Sequence, residues 1–267
     1  MPRRAFITSY RGTGFPGWQT QTSGQAIQDL IEKALATIAQ HECPIVCAGR
    51  TDAGVHALKQ VFHADLQASR PDSAWLRGVN AHLPPSVAMV ASFEVSPHFH
   101  ARFNANTRTY RYVIERSPIK NPLSVGRVGW VFRPLHVGVM CQAAALLIGE
   151  HDFSSFRSSQ CQSKSPVRTI FDIRFEERGE RIALQITANA FLHHMIRNIV
   201  GALVEVGTER RDIDWFITMF DAKDRRLGAP TFSADGLYFV GVGYSLEHAS
   251  ADFVSAAAPL LLSDAQW

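Results

Sequence analysis

A chain of 267 residues, 46% of them hydrophobic and 19% charged, can bury a sizeable core, which excludes global disorder. Its longest apolar runs, 239–244 and 256–262, fall far short of the roughly 20 residues a bilayer demands, and no apolar centre follows Met1-Pro2-Arg3-Arg4, so no membrane role and a cytoplasmic location are expected. The net charge of +3 is too small to require a polyanionic partner, but only five of the 27 basic residues are lysine, an arginine excess that fits either bidentate phosphate contacts or a GC-rich codon bias.

Arg4 to Tyr10 alternate in character and are broken by Arg11-Gly12-Thr13-Gly14, which predicts a strand ending in a glycine-rich turn. Ser23 is placed to N-cap a helix in which Ala26, Ile27, Leu30, Ile31, Ala34, Leu35 and Ile38 recur at helical spacing. A second strand is expected from about Ile45 to the loop at Arg50, and a third where Val61 to Leu66 alternate. Ser73 to Leu83 reads as a helix stopped by Pro84-Pro85, and Val87 to Val95 as a strand. Between Arg102 and Thr109 the pattern lapses into polar and basic residues, and Tyr110 to Ile114 then opens another strand, so the domain junction belongs here. Beyond it, His136 to Ile148, His193 to Val206 and Trp215 to Phe220 read as helices, and Ile170 to Glu176, Arg181 to Ala188 and Leu237 to Tyr244 as strands. The tail from Glu247 has no clear period and either packs as an extra segment or frays. The expected architecture is α+β: two similar domains, 1–103 and 104–246, each a mainly antiparallel sheet with helices on one face, an active cleft between them, and a tail, 247–267.

Four cysteines, Cys43, Cys47, Cys141 and Cys161, are sparse for this length and are expected to be reduced. Cys43 and Cys47 beside His41 lack the spacing of a zinc pair and no second pair follows, so no metal site is expected. The most informative segment is Ala48-Gly49-Arg50-Thr51-Asp52-Ala53-Gly54-Val55-His56, a polar loop with two glycines between apolar strands. Alone, Asp-Ala-Gly is an ordinary turn; Gly54 equally lets a backbone approach a ligand beside a carboxylate.

In its wider pattern the chain resembles the TruA family of tRNA pseudouridine synthases. The loop matches that family's signature, and the likeness continues through Gly17-Trp18-Gln19, Val79-Asn80-Ala81-His82-Leu83-Pro84, Phe99-His100-Ala101-Arg102-Phe103, Arg108-Thr109-Tyr110-Arg111-Tyr112, Asp152-Phe153-Ser154-Ser155-Phe156, Asn189 to Gly201 and Gly236-Leu237-Tyr238, in the family's order over nearly the whole chain. The resemblance implies an isomerase that converts uridine to pseudouridine at positions 38, 39 and 40 of the tRNA anticodon stem-loop, needs no cofactor and works as a homodimer. It implies Asp52 as the catalytic carboxylate, either attacking the sugar or assisting loss of a sugar proton. It further implies Arg197 as the cation that keeps this carboxylate ionised in a water-excluding site, and Tyr110 as a ring that stacks on the target base and helps remove the C5 proton. From the residues alone, Arg197 reads as readily as a solvent-facing helix arginine and Tyr110 as core packing.

Arg50 has no packing reason to be arginine in a tight loop and is assigned to base flipping or binding. His56, Arg102 and Arg108 are further substrate-binding candidates, since the run from His98 through Arg111 interleaves aromatic and basic residues as RNA surfaces do; a solvated hinge is the alternative for that run. His193 and His194, adjacent on the expected helix, should face different ways, which disfavours a shared ion and leaves packing or RNA contact. One departure is Tyr10-Arg11-Gly12, where the family usually has Tyr-Asp-Gly; the reversed charge is expected to alter substrate preference. Two other classes compete: an RNA-binding factor without chemistry, and a nucleoside or glycoside hydrolase, most of which use paired carboxylates where this loop offers one.

Overall fold

The alternating run at the N-terminus forms β1 (Arg3–Tyr10), which is buried on both faces from Arg4 to Thr8 in the computed structural model, which describes residues 2–264. Those residues divide into two compact units, 2–108 with 238–260 and 109–237 with 261 onward. Linear order groups the last strand with the second half, whereas the chain returns it to the first unit.

In the first unit, β1 pairs antiparallel with both β3 (His56–Asp65) and β4 (Val87–Val95). The short β2 (Val46–Cys47) pairs antiparallel with β3, and β10 (Leu237–Tyr244) pairs parallel with β3 at Tyr238–His56 and Phe239–Ala57. Register shifts after Ile7 and Thr8 bend β1 just before it leaves the sheet for the glycine-rich turn. Phe6 and Phe62 stack across the β1–β3 pair with centroids 5.0 Å apart.

The first helix, α1 (Ile27–Ala39), buries Ile27, Ile31, Ala34 and Leu35, as its spacing predicts. It starts later than Ser23 would place it. Ala26 is the N-cap, with the Asp29 carboxylate accepting from the Ala26 N–H at 2.8 Å, while the Ile27 and Gln28 N–H groups donate to the Gly17 and Trp18 carbonyls. A loop distant in the helix pattern thus satisfies donors that a serine cap would otherwise serve. The expected helix at Ser73–Leu83 is shorter and carries a π-helical turn, Ala74–Gly78. The tail packs: α5 (Ala251–Ala257) is capped by the Ser250 hydroxyl, which accepts from the Phe253 N–H, and buries Phe253 edge-on against Phe93 and Phe99.

In the second unit, strands follow the order β5 (Ala105–Arg116), β9 (Arg181–Ala188), β8 (Val167–Arg178), β7 (Gly149–Asp152), with β6 (Gly129–Val131) parallel to β5. The β8–β9 hairpin is antiparallel from Ile170–Ala188 to Arg178–Arg181, and β7 continues the antiparallel order on β8. Neither β6 nor β7 is long enough to show an alternation. The helices are α2 (Val137–Ala145), α3 (Met195–Gly207) and α4 (Ile213–Asp221). The face of α3 carrying Ile196, Ile199, Val200, Leu203 and Val206 is buried, and Gly207 lies so close to α2 that a Cβ there would meet Met140 Cγ at 2.7 Å. Phe153, Phe156 and Phe220 cluster with centroids 5.6–6.4 Å apart, and Phe216 adds to them. Both units are α+β with mainly antiparallel strands, and no helix among the described residues is long and apolar enough to cross a membrane.

Candidate active site

Asp52 opens a tight turn between β2 and β3, closed by the Val55 N–H donating to the Asp52 carbonyl at 3.2 Å, with Gly54 in the left-handed region at φ +79°. A second turn clamps this one. The Trp18 N–H donates to the Thr51 carbonyl at 3.0 Å, the Gly12 N–H donates to His56 Nδ1 at 3.0 Å, and the Tyr10 and Thr51 hydroxyls lie 2.8 Å apart. Two glycines make the approach possible: a Cβ on Gly12 would overlap the Val55 carbonyl, and one on Gly17, at φ +113°, would sit 2.8 Å from the Thr51 carbonyl oxygen. Fully buried Trp18 wedges the clamp against Tyr10 and Phe62.

The other side of the loop is fixed by side-chain donors. Gln60 Nε2 donates to the Gly49 carbonyl at 2.6 Å, and Arg108 donates to the carbonyls of Ala48 at 3.1 Å, Arg102 at 2.6 Å and Ala105 at 2.9 Å. Asp52 is therefore a half-buried carboxylate in a turn held from both sides. Burial pushes the thiol of nearby Cys47 up to about 12 despite the arginines Arg50 and Arg102, so it stays protonated. Burial likewise raises the Tyr10 phenol, which stays protonated as the partner of Thr51.

The remaining candidates of the first unit separate by exposure. Arg50 and Arg102 are exposed, and the Arg102 guanidinium lies 5.9 Å from the exposed Phe103 ring, which stacks on His100 at 4.2 Å. His56 is 2% exposed, accepts from Gly12 and stacks on Tyr238 at 4.6 Å, so its contacts, like the carbonyl contacts of Arg108, are those of a scaffold. Arg11 is exposed, and its N–H donates to the Ser86 carbonyl.

In the second unit, Tyr110 on β5 is 8% exposed and meets Phe191 edge to face at 5.2 Å. Tyr112, one side-chain period along, is buried with its hydroxyl donating to the Ser233 carbonyl at 2.8 Å. Arg197, in the first turn of α3, is half-buried; its Nε donates to the Phe232 carbonyl at 2.9 Å while the Phe232 N–H donates to the Arg197 carbonyl at 3.2 Å. That pair pins residues 229–232 to α3, and Gly201 admits the Pro230 carbonyl beside the helix.

The histidine pair differs from expectation. The helix begins at Met195, His194 adopts φ +61°, and the rings of His193 and His194 come together, tilted by 33° with centroids 3.9 Å apart, instead of diverging. The clamp made by Gly12, Gly17 and Trp18 also went unassigned in the sequence, although Gly17-Trp18-Gln19 was visible as a motif; the signal was a second two-glycine turn preceding an apolar helix.

A family model described as tRNA pseudouridine synthase matches residues 6–104 and 143–245, stretches that contain Asp52 and Arg197, with Tyr110 between them. The chain is 51% identical over 250 residues to tRNA pseudouridine synthase A of Bordetella petrii, 93% of each chain being covered. It is 50% identical over 241 residues to the protein of that name from Janthinobacterium sp. (strain Marseille), covering 88% of this chain and 89% of that one. It is 49% identical over 243 residues to the one from Neisseria meningitidis serogroup B, covering 91% and 92%.

Proposed function

The chain belongs to the tRNA pseudouridine synthase family, and from that membership we propose that it isomerises uridines 38, 39 and 40 of the tRNA anticodon stem-loop, with Asp52 as its catalytic carboxylate. Enzymes of this family are isomerases. In the reaction the N1–C1′ bond of the uridine breaks, the uracil turns, a C5–C1′ bond forms, and the proton lost from C5 is matched by one gained at N1. Substrate and product have the same composition, so the balance calls for no oxidant, reductant or group donor.

The observation that carries the reading is the doubly clamped turn around Asp52. A carboxylate that attacks C1′ or removes a sugar proton must meet a small target at a fixed angle, and a turn held by Gly12, Trp18, Gln60 and Arg108 supplies that preorganisation. In this proposal Arg197 is the counter-charge of Asp52, its guanidinium plane oriented by the Phe232 carbonyl. Tyr110 packs on the extruded uracil and serves removal of the C5 proton, its ring steadied edge-on by Phe191. Exposed Arg50 fills the space the nucleotide leaves, and exposed Arg102 meets the RNA backbone. His56 and Arg108 serve binding through the loops they hold. The same reading has the enzyme cytoplasmic and homodimeric.

The test is pseudouridine mapping on unmodified tRNA transcripts, with chelator present, for wild type and Asp52→Asn. Wild type should form pseudouridine at 38–40, and the variant should bind tRNA with formation slowed on the order of 10,000-fold or more. Binding by both proteins with product from neither would refute catalysis.

A further inference from the structure

A cleft of about 750 Å³ opens in the second unit between residues 154–159 and residues 225–231, above Asn198 of α3. Its floor is built. Asn198 is 2% exposed, donates through Nδ2 to the Phe156 carbonyl at 2.8 Å, and with Oδ1 accepts from Thr231 Oγ1 at 2.7 Å and Arg225 Nη2 at 3.1 Å. A buried amide thus aims the Arg225 guanidinium, and Gly228 leaves it room, since a Cβ there would lie 2.9 Å from Arg225 Nη1. On the opposite wall Arg157 donates to the Cys161 and Ser163 carbonyls at 3.1 and 2.7 Å, closing its own loop around a second guanidinium.

The charge of this cleft is not balanced from within. At the rim Arg226 is paired with Asp224 at 2.6 Å, but no carboxylate among the described residues lies within ion-pair distance of Arg225 or Arg157. Burial lowers the pKa of Arg225, with no neighbouring anion to offset it. A half-buried guanidinium with no carboxylate beside it favours an anion, and with both Nη2 donors taken by Asn198 and Thr231, Nη1 and Nε remain for phosphate oxygens. The hydroxyls of Ser154, Ser158 and Ser159 line the same space as further donors.

We propose that this cleft binds a backbone phosphate of the substrate RNA, Arg225 supplying the Nη1 and Nε donors that Asn198 and Thr231 leave over, Arg157 the second cation, and Ser158 a flanking hydroxyl. The assignment rests on the protein acting on tRNA, and its test is separable from that premise. Affinity for tRNA transcripts is measured across a salt series for the full chain, for Arg225→Gln, for Arg225→Lys, and for Ser159→Asp, which places a carboxylate on the exposed rim of the cleft. Losing one phosphate contact should weaken binding about tenfold near physiological salt and lower the slope of log affinity against log salt by about one. Arg225→Lys keeps the charge without the guanidinium donors that Asn198 orients, so it should restore the slope and only part of the affinity.

Arg225→Gln or Ser159→Asp protein that melts like wild type but keeps its affinity and slope overturns the proposal. Ser159→Asp decides the matter should Arg225→Gln fail to fold. Inorganic phosphate that raises the wild-type melting temperature, while both variants retain the wild-type tRNA slope, assigns the cleft to a free anion and overturns the RNA assignment. Pseudouridine formation by the wild type is read alongside: its absence condemns the catalytic reading, whatever the slopes show.

Discussion

A methyl group added at Gly12 would have to occupy the volume of the Val55 carbonyl, and a backbone atom cannot rotate aside as the end of a side chain can. Gly12→Ala should therefore cost about 1–3 kcal/mol, read as a lower denaturant midpoint, and should depress pseudouridine formation more than tRNA affinity because the displaced loop carries Asp52. His63 offers a test by pH. It is buried, its Nδ1 accepts from the Ala101 N–H at 3.1 Å, and burial, reinforced by Arg3 and His100, holds its pKa down to about 4 against an ordinary 6.5. The unfolded chain takes up a proton near pH 6.5 that the folded chain refuses until about pH 4, so stability is full above 6.5 and is lost as pH falls from there to about 4. His63→Gln, whose carbonyl can accept the same N–H, should flatten that limb when denaturant midpoints at pH 7 and pH 5 are compared. At this scale the Asp52 loop was legible because its polar run interrupts apolar strands. The scaffold contacts of His56 and Arg108 were not, because a buried ring nitrogen accepting an N–H, or a guanidinium spent on carbonyls, has the same one-letter code as an RNA contact.

Among the elements, the alternating strands β9 and β10 were readable to their ends, and the starts of the helices α1 and α3 were not. Arg181–Ala188 and Leu237–Tyr244 are strands over the expected residues, since alternation against a half-buried sheet is a local property. The start of α1 depends on the Gly17 and Trp18 carbonyls, and the start of α3 on a left-handed His194, partners and dihedrals that no window of sequence contains. The tail had no period because α5 has only seven residues and anchors itself by one ring. Phe253 is fully buried among Phe93, Phe99 and Tyr244, so Phe253→Ala should destabilise by about 3–5 kcal/mol in equilibrium unfolding, with tRNA site choice unchanged.

For the whole molecule, the α+β class follows from the mixture of alternating and helical periods, but the returning strand does not, because β10 reads alike whether it pairs with β3 or with a nearer neighbour. A fragment of residues 1–108 lacks both β10 and α5, which leaves the His56–Ala57 end of β3 unpaired on one side and the ring of Phe99 without Tyr244 and Phe253. It should melt without a cooperative transition by circular dichroism, whereas 1–108 joined through a flexible linker to 238–260 should regain one. Cooperative melting of the bare fragment would show that the returning segment is dispensable.

That returning strand also sets a clock for the newborn chain. Residues 2–108 leave the ribosome first, yet their sheet waits for residues 238–260, so the unit begun earliest is completed only after 109–237 have been made. At about 5–20 residues per second the wait is roughly 8–30 seconds, during which the unpaired end of β3 is open to chaperones or to neighbouring nascent chains. Crowded polysomes and slow late codons would therefore lower the yield of this protein without changing a single residue of it.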